Sequence, residues 1–405
     1  PGGGDDDFEP DSSGPGGGDD FESDEDNSGS GSDHDSGWDD DEPSRQGAGS
    51  PGNDGFDDHG ADVAENAIYS VEYDSHGDEY VPGEIVFVGG NDDLTRAQEL
   101  GFNALSMQRL NSGGVMARLS MPRGLSIDAG VALLASAAPG AHISPNNIYR
   151  GAQALSPTVS RRSALRPLRL RGALGMIDTG VDADALPAAG ALLTHTAFAG
   201  PRPIARQHGS TVASIAVSRG LRVHVADVFG HSAEGDLAAS AERIAAALDW
   251  MIEHRVAVVN ISVEGPDNAI LEEMVRRATA RGHIIVAAAG NSGPSASPSF
   301  PAAFDNVLAV TAIDASGRPY FRANRGTYID FAAPGVNVSV DVDGATVSVS
   351  GTSFAAPAIA AEAAAHLQAP SPATSARVLT RLRARAEDLG APGHDNIFGW
   401  GALRD

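Results

Sequence analysis

Along this 405-residue chain the pattern of apolar and polar positions changes character twice. Up to about residue 65 there are hardly any aliphatic side chains. Gly, Asp, Ser and Glu dominate, with an imperfect repeat, PGGGDDDFE at Pro1–Glu9 and PGGGDDFE at Pro15–Glu22. Such a stretch has too little apolar surface to offset its chain entropy, so residues 1–65 are predicted to be a disordered, self-repelling segment. Order is expected from about Tyr80. Gly83–Gly89 (GEIVFVG) has the composition of a strand, and Asp92–Gly101 has the acidic start and glycine stop of a short helix. Leu105–Leu119 folds back on itself around Asn111-Ser112-Gly113-Gly114, as a hairpin does. Leu125–Ala138 reads as a second helix closed by Pro139-Gly140, and His142–Tyr149 as a last strand. The order β-α-β-β-α-β predicts a small α+β, ferredoxin-like domain over residues 80–152. A turn-rich connector with several arginines, Gly151–Arg171, follows it.

From Gly172 onward short apolar runs alternate with helical stretches. Ala173–Ile177, Val223–Val228, Val256–Ile261, His283–Ala289 and Val307–Ile313 are strands by composition, while Ala238–His254 and Ala269–Arg281 are helices. Strands apolar on both faces, interleaved with helices of this length, predict an α/β fold: a doubly wound, mainly parallel sheet over residues 172–405. In such sheets ligands bind beyond the carboxyl ends of the strands. Reactive side chains are therefore sought just after strands.

The net charge of −26 alters this picture little, because it is concentrated at one end. Residues 1–65 hold 22 of the 54 acidic and one of the 28 basic residues, or −21, leaving −5 for the remainder. No basic stripe is present, which argues against a nucleic-acid partner. The chain has no cysteine, so disulfides and thiolate metal sites are excluded. No apolar run approaches the ~18 residues of a membrane span. The sequence opens at Pro1 without a charged-then-apolar leader. The aspartate clusters match neither an EF-hand loop nor the calcium-binding nonapeptide.

Three segments place a reactive side chain beside glycine at an element boundary. Gly175–Gly180 is an apolar strand ending in Asp178, with Gly180 close behind. Gln207-His208-Gly209-Ser210 opens an apolar helix, and Ser350-Gly351-Thr352-Ser353 runs into an Ala-rich helix with Pro357 in its first turns. A strand-end acid, a helix-start histidine and a capping serine are each common alone. Together they are the parts of nucleophilic acyl transfer: a hydroxyl, a base within reach, and a carboxylate that fixes the base's tautomer. A fourth segment, Ala287–Pro294, ends an apolar strand in Gly290-Asn291, and the Asn291 amide is the kind of donor an oxyanion requires.

In this order and these contexts (DTGVD, HGS, AAAGN, SGTSFAAP) the chain resembles the subtilisin-like serine proteases, the subtilases of peptidase family S8. The likeness runs from about Gly172 to Leu403 and includes Phe300–Phe304, Ile329–Gly335 and Leu389–Asn396. It implies that Asp178 orients the base, His208 is the general acid and base, Ser353 is the nucleophile and Asn291 helps bind the oxyanion. It further implies that Ser262, Val263, Glu264 and Gly265, with Ala288 and Gly290, bind the substrate and line its first specificity pocket. The preceding domain then resembles a propeptide that assists folding and inhibits in cis, with self-cleavage near Arg150–Gln153. Polypeptide substrates, a self-processing zymogen and a secreted, surface or periplasmic location follow from the same resemblance. Every reactive position is filled, which argues against a silent relative acting only as a binding module.

Departures from the family pattern are few. Ser210 stands where threonine is usual, and the segments on either side of His208 are short. Loops there often hold calcium in relatives, and because these are shorter calcium is not carried over: no cofactor is expected, structural calcium being possible but not indicated. Glu264 replaces a common glycine, and could either narrow the pocket, attract a basic side chain or point to solvent at its rim. His195, His224, His231, His254 and His283 lie at no metal-ligand spacing and are expected to be packing or surface residues.

Overall fold

The computed structural model describes residues 68–151, 158–159 and 172–404. The predicted acidic segment, most of the connector and the expected cut beyond Gly151 lie outside the described residues. Two short strands, β1 (Ile68–Tyr69) and β2 (Glu72–Tyr73), precede the expected start at Tyr80. Strand β3 (Glu79–Gly89) begins earlier than the apolar run suggested, because its first residues pair with β2. Helix α1 (Asn91–Glu99) is followed by the hairpin of β4 (Asn103–Arg109) and β5 (Val115–Ser120). Helix α2 (Ile127–Ala137) starts where Ser126 Oγ accepts the Ala129 N–H at 3.3 Å, a side-chain cap, and β6 (His142–Gly151) completes the unit. The antiparallel order β6-β3-β5-β4 is the ferredoxin-like arrangement predicted.

Alternation along β3 shows why this sheet needs a second partner. Ile85 and Phe87 bury into a core with Leu94, Phe102, Ile127 and Leu134 under the unit's own helices. Val86 and Val88, on the opposite face, join the core formed with the helices of the following domain. Both faces of the strand are thus dry, and every side chain at Ile85–Val88 is fully buried.

After a short strand β7 (Thr158–Val159), the larger domain contains β8 (Ala173–Asp178), β9 (Leu192–Ala197), α3 (Gln207–Ser218), β10 (Arg222–Asp227), β11 (Phe229–Ser232), β12 (Leu237–Ser240) and α4 (Ala241–Glu253). It continues through β13 (Val258–Ile261), β14 (Val263–Glu264), α5 (Ala269–Ala280), β15 (Ile284–Ala288), β16 (Val307–Ile313) and β17 (Ile329–Pro334). A hairpin, β18 (Val338–Val342) and β19 (Ala345–Val349), leads to α6 (Thr352–His366) and α7 (Pro372–Arg385). Seven strands form one parallel sheet in the order β9-β10-β8-β13-β15-β16-β17.

Successive residues of the central strands face opposite layers. Leu174, Met176, Val223, Val225 and Val286 pack with α3 and α6, while Ile177, Val259, Ile261 and Ile285 pack with α4 and α5. Each such fully buried side chain stabilises the fold by about 1.5–3 kcal/mol relative to exposure. The predicted helix Ala238–His254 is corrected at its start, since α4 begins at Ala241. Leu237–Ser240 instead pairs antiparallel with β11 and β6, because cross-strand burial outweighs the helix preference of Ala238-Ala239.

From β8 the chain moves to β9 and β10 on one side, and from β13 onward to the other. The crevice beyond the carboxyl ends of β8 and β13 is therefore the switch point of the sheet. Among the described residues no helix is long and apolar enough to cross a membrane.

Candidate active site

Asp178 is the last residue of β8 and is fully buried. Its Oδ1 accepts the Thr179 N–H at 2.6 Å and faces His208 Nδ1 at 2.8 Å. His208 is the second residue of α3. Gly209 lets that helix start press onto the end of β8, where a Cβ would lie 2.4 Å from the Thr179 carbonyl oxygen. The Gly209 N–H donates to Thr179 Oγ1 at 2.9 Å, locking the two elements together. Burial lowers the affinity of the His208 ring for a proton. The Asp178 charge and hydrogen bond outweigh it and leave the imidazole above its ordinary range. With Nδ1 committed to the carboxylate, Nε2 is the nitrogen that can exchange a proton with a substrate group. Among the described residues Nε2 meets no hydrogen-bond partner.

Ser353 is the second residue of α6 and is fully buried. Its N–H belongs to the first turn, whose donors have no intrahelical acceptor and whose dipole favours negative charge. Pro357, four residues on, lacks the N–H that would bind the Ser353 carbonyl. Phe354 packs its ring 5.5 Å from the His208 ring, so the starts of α3 and α6 lie side by side. Ser353 Oγ and His208 Nε2 are not hydrogen-bonded to each other. Such contacts commonly tighten only when substrate is bound.

Asn291, just beyond β15, is buried against the same helix start. Its Oδ1 accepts both the Thr352 N–H at 3.0 Å and the Thr352 hydroxyl at 3.1 Å. The Thr352 hydroxyl in turn accepts the Gly290 N–H at 3.2 Å. The amide is thereby oriented with oxygen toward α6, leaving its NH2 as the donor end. Thr352 was not singled out from the sequence, although it lies between Gly351 and Ser353.

The expected substrate-binding residues fall at and beyond the carboxyl ends of two neighbouring strands, Ser262–Gly265 after β13 and Ala288 and Gly290 at and after the end of β15. Ser262 is fully buried, with Oγ accepting from Asn260 Nδ2 at 2.9 Å. Val263 and Glu264 pair antiparallel with the end of β6, Val263 opposite Gly151 and Glu264 opposite Arg150. Tyr149, also fully buried, lies against Gly265 and donates its hydroxyl to the Pro266 carbonyl at 2.7 Å. On the neighbouring strand stands Ala288, at the end of β15, followed by Gly290, which has φ +105°. Glu264 does not point to solvent at the rim. Its Oε2 accepts the Asn291 N–H at 3.1 Å, and burial holds the carboxyl above its usual range against that hydrogen bond and the Arg322 charge.

The five other histidines marked in the sequence, His195, His224, His231, His254 and His283, each meet a hydrogen-bonding partner within the fold. His195 Nε2 accepts the Val181 N–H, His224 meets Thr194, and His254 and His283 lie against the Trp250 and Val256 carbonyls. His231 Nε2 lies 2.8 Å from Arg206, the residue that opens α3. Asp227, paired in register with Asp178 across β10 and β8, receives the Ile204 and Phe229 N–H groups. Burial pushes its carboxyl up to about 6.

Residues 173–401 match the model of the subtilase family, peptidase S8. Subtilisin Savinase of Lederbergia lenta is 33% identical over 196 residues, which cover 48% of this chain and 70% of that protein. An alkaline protease of Alkalihalobacillus alcalophilus is also 33% identical over 196 residues, 48% of this chain and 50% of that protein. The crystal structure of fervidolysin from Fervidobacterium pennivorans, a keratinolytic enzyme related to subtilisin, is similar in fold. It has a TM-score of 0.66 over 84% of this chain and 62% of that one, at 18% identity. The chain belongs to the subtilase family. It is accordingly a subtilisin-like serine endopeptidase, and its substrates are polypeptides.

Proposed function

We propose that Asp178, His208 and Ser353 form the catalytic triad of this endopeptidase, with Asn291 completing an oxyanion hole, and that it is made as a self-processing zymogen. The observation that carries the reading is the 2.8 Å contact of His208 Nδ1 with a fully buried Asp178, at the switch point of the sheet and beside the start of α6. His208 Nε2 takes the proton of Ser353 Oγ as the oxygen attacks the scissile carbonyl. The negative charge moves to the carbonyl oxygen, where the Asn291 NH2 and the Ser353 N–H donate to it. His208 returns the proton to the leaving amine as the tetrahedral intermediate collapses to the acyl-enzyme. Water, deprotonated by the same nitrogen, then releases the acid product.

The antiparallel pairing of β14 with β6 supports the substrate mode and the zymogen together. An extended chain segment lies along Val263–Glu264 as a strand of substrate would, and sequence specificity then comes from side-chain pockets. That segment is the end of the ferredoxin-like unit, which fits a propeptide acting in cis and cleaved near Arg150–Gln153. Polar contacts hold the unit down. Buried Asp249 on α4 accepts from Asn111 N, Asn111 Nδ2 and Ser112 N at 2.7, 3.1 and 2.9 Å. An inhibited precursor suits an enzyme made inside a cell and used outside it, so we assign a secreted, surface or periplasmic location. Nucleic acid has no part in this reading, and no cofactor is required for the acyl-transfer steps.

The test is digestion of a diverse peptide library by the purified chain and by Ser353→Ala, with mass spectrometry of each protein's N-terminus. The reading expects cleavage and processing near Arg150–Gln153 in wild type and neither in the variant. Equal cleavage by both proteins would refute it.

A further inference from the structure

The chain segments that follow β13 and β15 are bridged beside Asn291 by a side chain that neither the fold nor the acyl-transfer chemistry requires. Glu264 extends from β14 to the loop after β15, where Oε2 accepts the Asn291 N–H at 3.1 Å. The fit is close: a Cβ on Gly290 would lie 2.9 Å from Oε2 and 2.5 Å from Asn324 Nδ2. Gly290, held at φ +105°, is thus the residue that makes room for the carboxylate. From Glu264 the hydrogen bonds run through Asn291 to Thr352, the neighbour of Ser353. The carboxylate therefore lies at the substrate side of the triad, next to where the residue donating the scissile carbonyl must sit.

Among the described residues Arg322 offsets the Glu264 charge only through space, without an ion pair. The strand along β14 brings Arg150 to the register position opposite Glu264, but the Arg150 guanidinium is taken by Glu79, with Nε at 3.1 Å and Nη2 at 2.6 Å from Oε2. Among the described residues Glu264 forms no ion pair, and its one hydrogen-bond donor is a neutral backbone N–H. A half-buried carboxylate in this state gains most from a cation that enters with the substrate. It also opposes an acidic or large apolar side chain, which would leave the charge desolvated without a partner.

We propose that Glu264 is a specificity-determining residue of this endopeptidase, selecting a lysine or arginine side chain at the residue whose carbonyl is cleaved. This rests on the triad reading above. One oxygen stays on Asn291 N–H while the carboxylate receives the ammonium or guanidinium of the substrate. Selection is thus coupled to the loop that carries the oxyanion donor.

The experiment uses the full chain, incubated until any processing is complete, and peptide substrates identical except for Lys, Arg, norleucine, Phe, Ala or Glu at the cleaved residue. Wild type is expected to show kcat/KM at least ~10-fold higher for Lys or Arg than for norleucine, the order a buried charge partner commands. Glu264→Gln keeps an acceptor for Asn291 N–H but removes the charge, and should bring that ratio to about 1 whatever its absolute turnover. Equal fluorophosphonate labelling of the two proteins controls for folding; if E264Q fails it, the wild-type Lys-to-norleucine ratio decides. An unchanged ratio in E264Q, or no Lys or Arg preference in wild type, overturns the assignment while leaving the peptidase intact. No labelling and no cleavage by wild type would instead overturn the triad reading and this assignment with it.

Discussion

Thr352 provides a quantitative test of how the proposed oxyanion donor is held. Its hydroxyl donates to Asn291 Oδ1 at 3.1 Å and accepts from Gly290 N–H at 3.2 Å, in a fully buried position. Thr352→Val is nearly isosteric and removes both bonds, while the Thr352 N–H bond to Asn291 Oδ1 remains. The lost hydrogen bond is worth about 1 kcal/mol, and stranding the Gly290 N–H adds about 1–3 kcal/mol. Stability should therefore fall by about 2–4 kcal/mol, read as a lower urea midpoint with an unchanged slope. Misplacing a positioned group by a fraction of an ångström to 1 Å costs about 10–100-fold in rate, so kcat should fall by that factor while KM stays within about twofold. Thr352→Ser keeps the hydroxyl and should remain within about threefold of wild type in kcat. A T352V protein with wild-type kcat would show that Asn291 needs no such anchor. T352S as impaired as T352V would show that the methyl group, rather than the hydroxyl, matters.

Three further outcomes follow from other contacts. The raised proton affinity of His208 places the acidic limb of the kcat/KM profile above the ordinary imidazole value of about 6.5, since the base must be neutral; a midpoint below it would contradict the Asp178 contact. The same shift means that His208 adds stability below its unfolded pKa, lost as pH rises through the folded one. Asp330 behaves oppositely to a paired carboxylate. Burial raises it to about 6 although it accepts the Ala309 N–H at 3.1 Å, so its ionisation costs stability above about pH 6 and nothing below its unfolded pKa of 3.8. Asp330→Asn should raise the unfolding free energy by about 1–2 kcal/mol at pH 8 and leave it unchanged at pH 3.5, as measured by denaturant titration at each pH. Gly209→Ala puts a Cβ 2.4 Å from the Thr179 carbonyl and must push α3 off β8; labelling of Ser353 by a fluorophosphonate should slow by about 100-fold or more.

Much of the fold could be read in advance because its strands are buried on both sides. Runs such as Val307–Ile313 have no polar face to confuse the reading, and the switch point follows from their order. Asp178, His208, Asn291 and Ser353 stand out because each needs glycine or a helix start beside it, and those needs leave local marks in sequence. Contacts made across the sheet leave no such mark. Nothing in Leu237–Ser240 says that these residues pair with β6 rather than begin α4, and nothing in Thr352 reveals that its hydroxyl anchors Asn291. Glu264 was visible as a departure from the family, but its inward turn depends on Gly290 and Asn291, 26 and 27 residues later.

The central claim is that Ser353 is the nucleophile activated by His208. Treating the chain with a fluorophosphonate probe and mapping the modified peptide tests it directly. The claim predicts one label, on Ser353 Oγ, formed at least ~10³-fold more slowly in His208→Ala and absent in Ser353→Ala. Labelling at another residue, or hydrolysis that persists undiminished in Ser353→Ala, would contradict it.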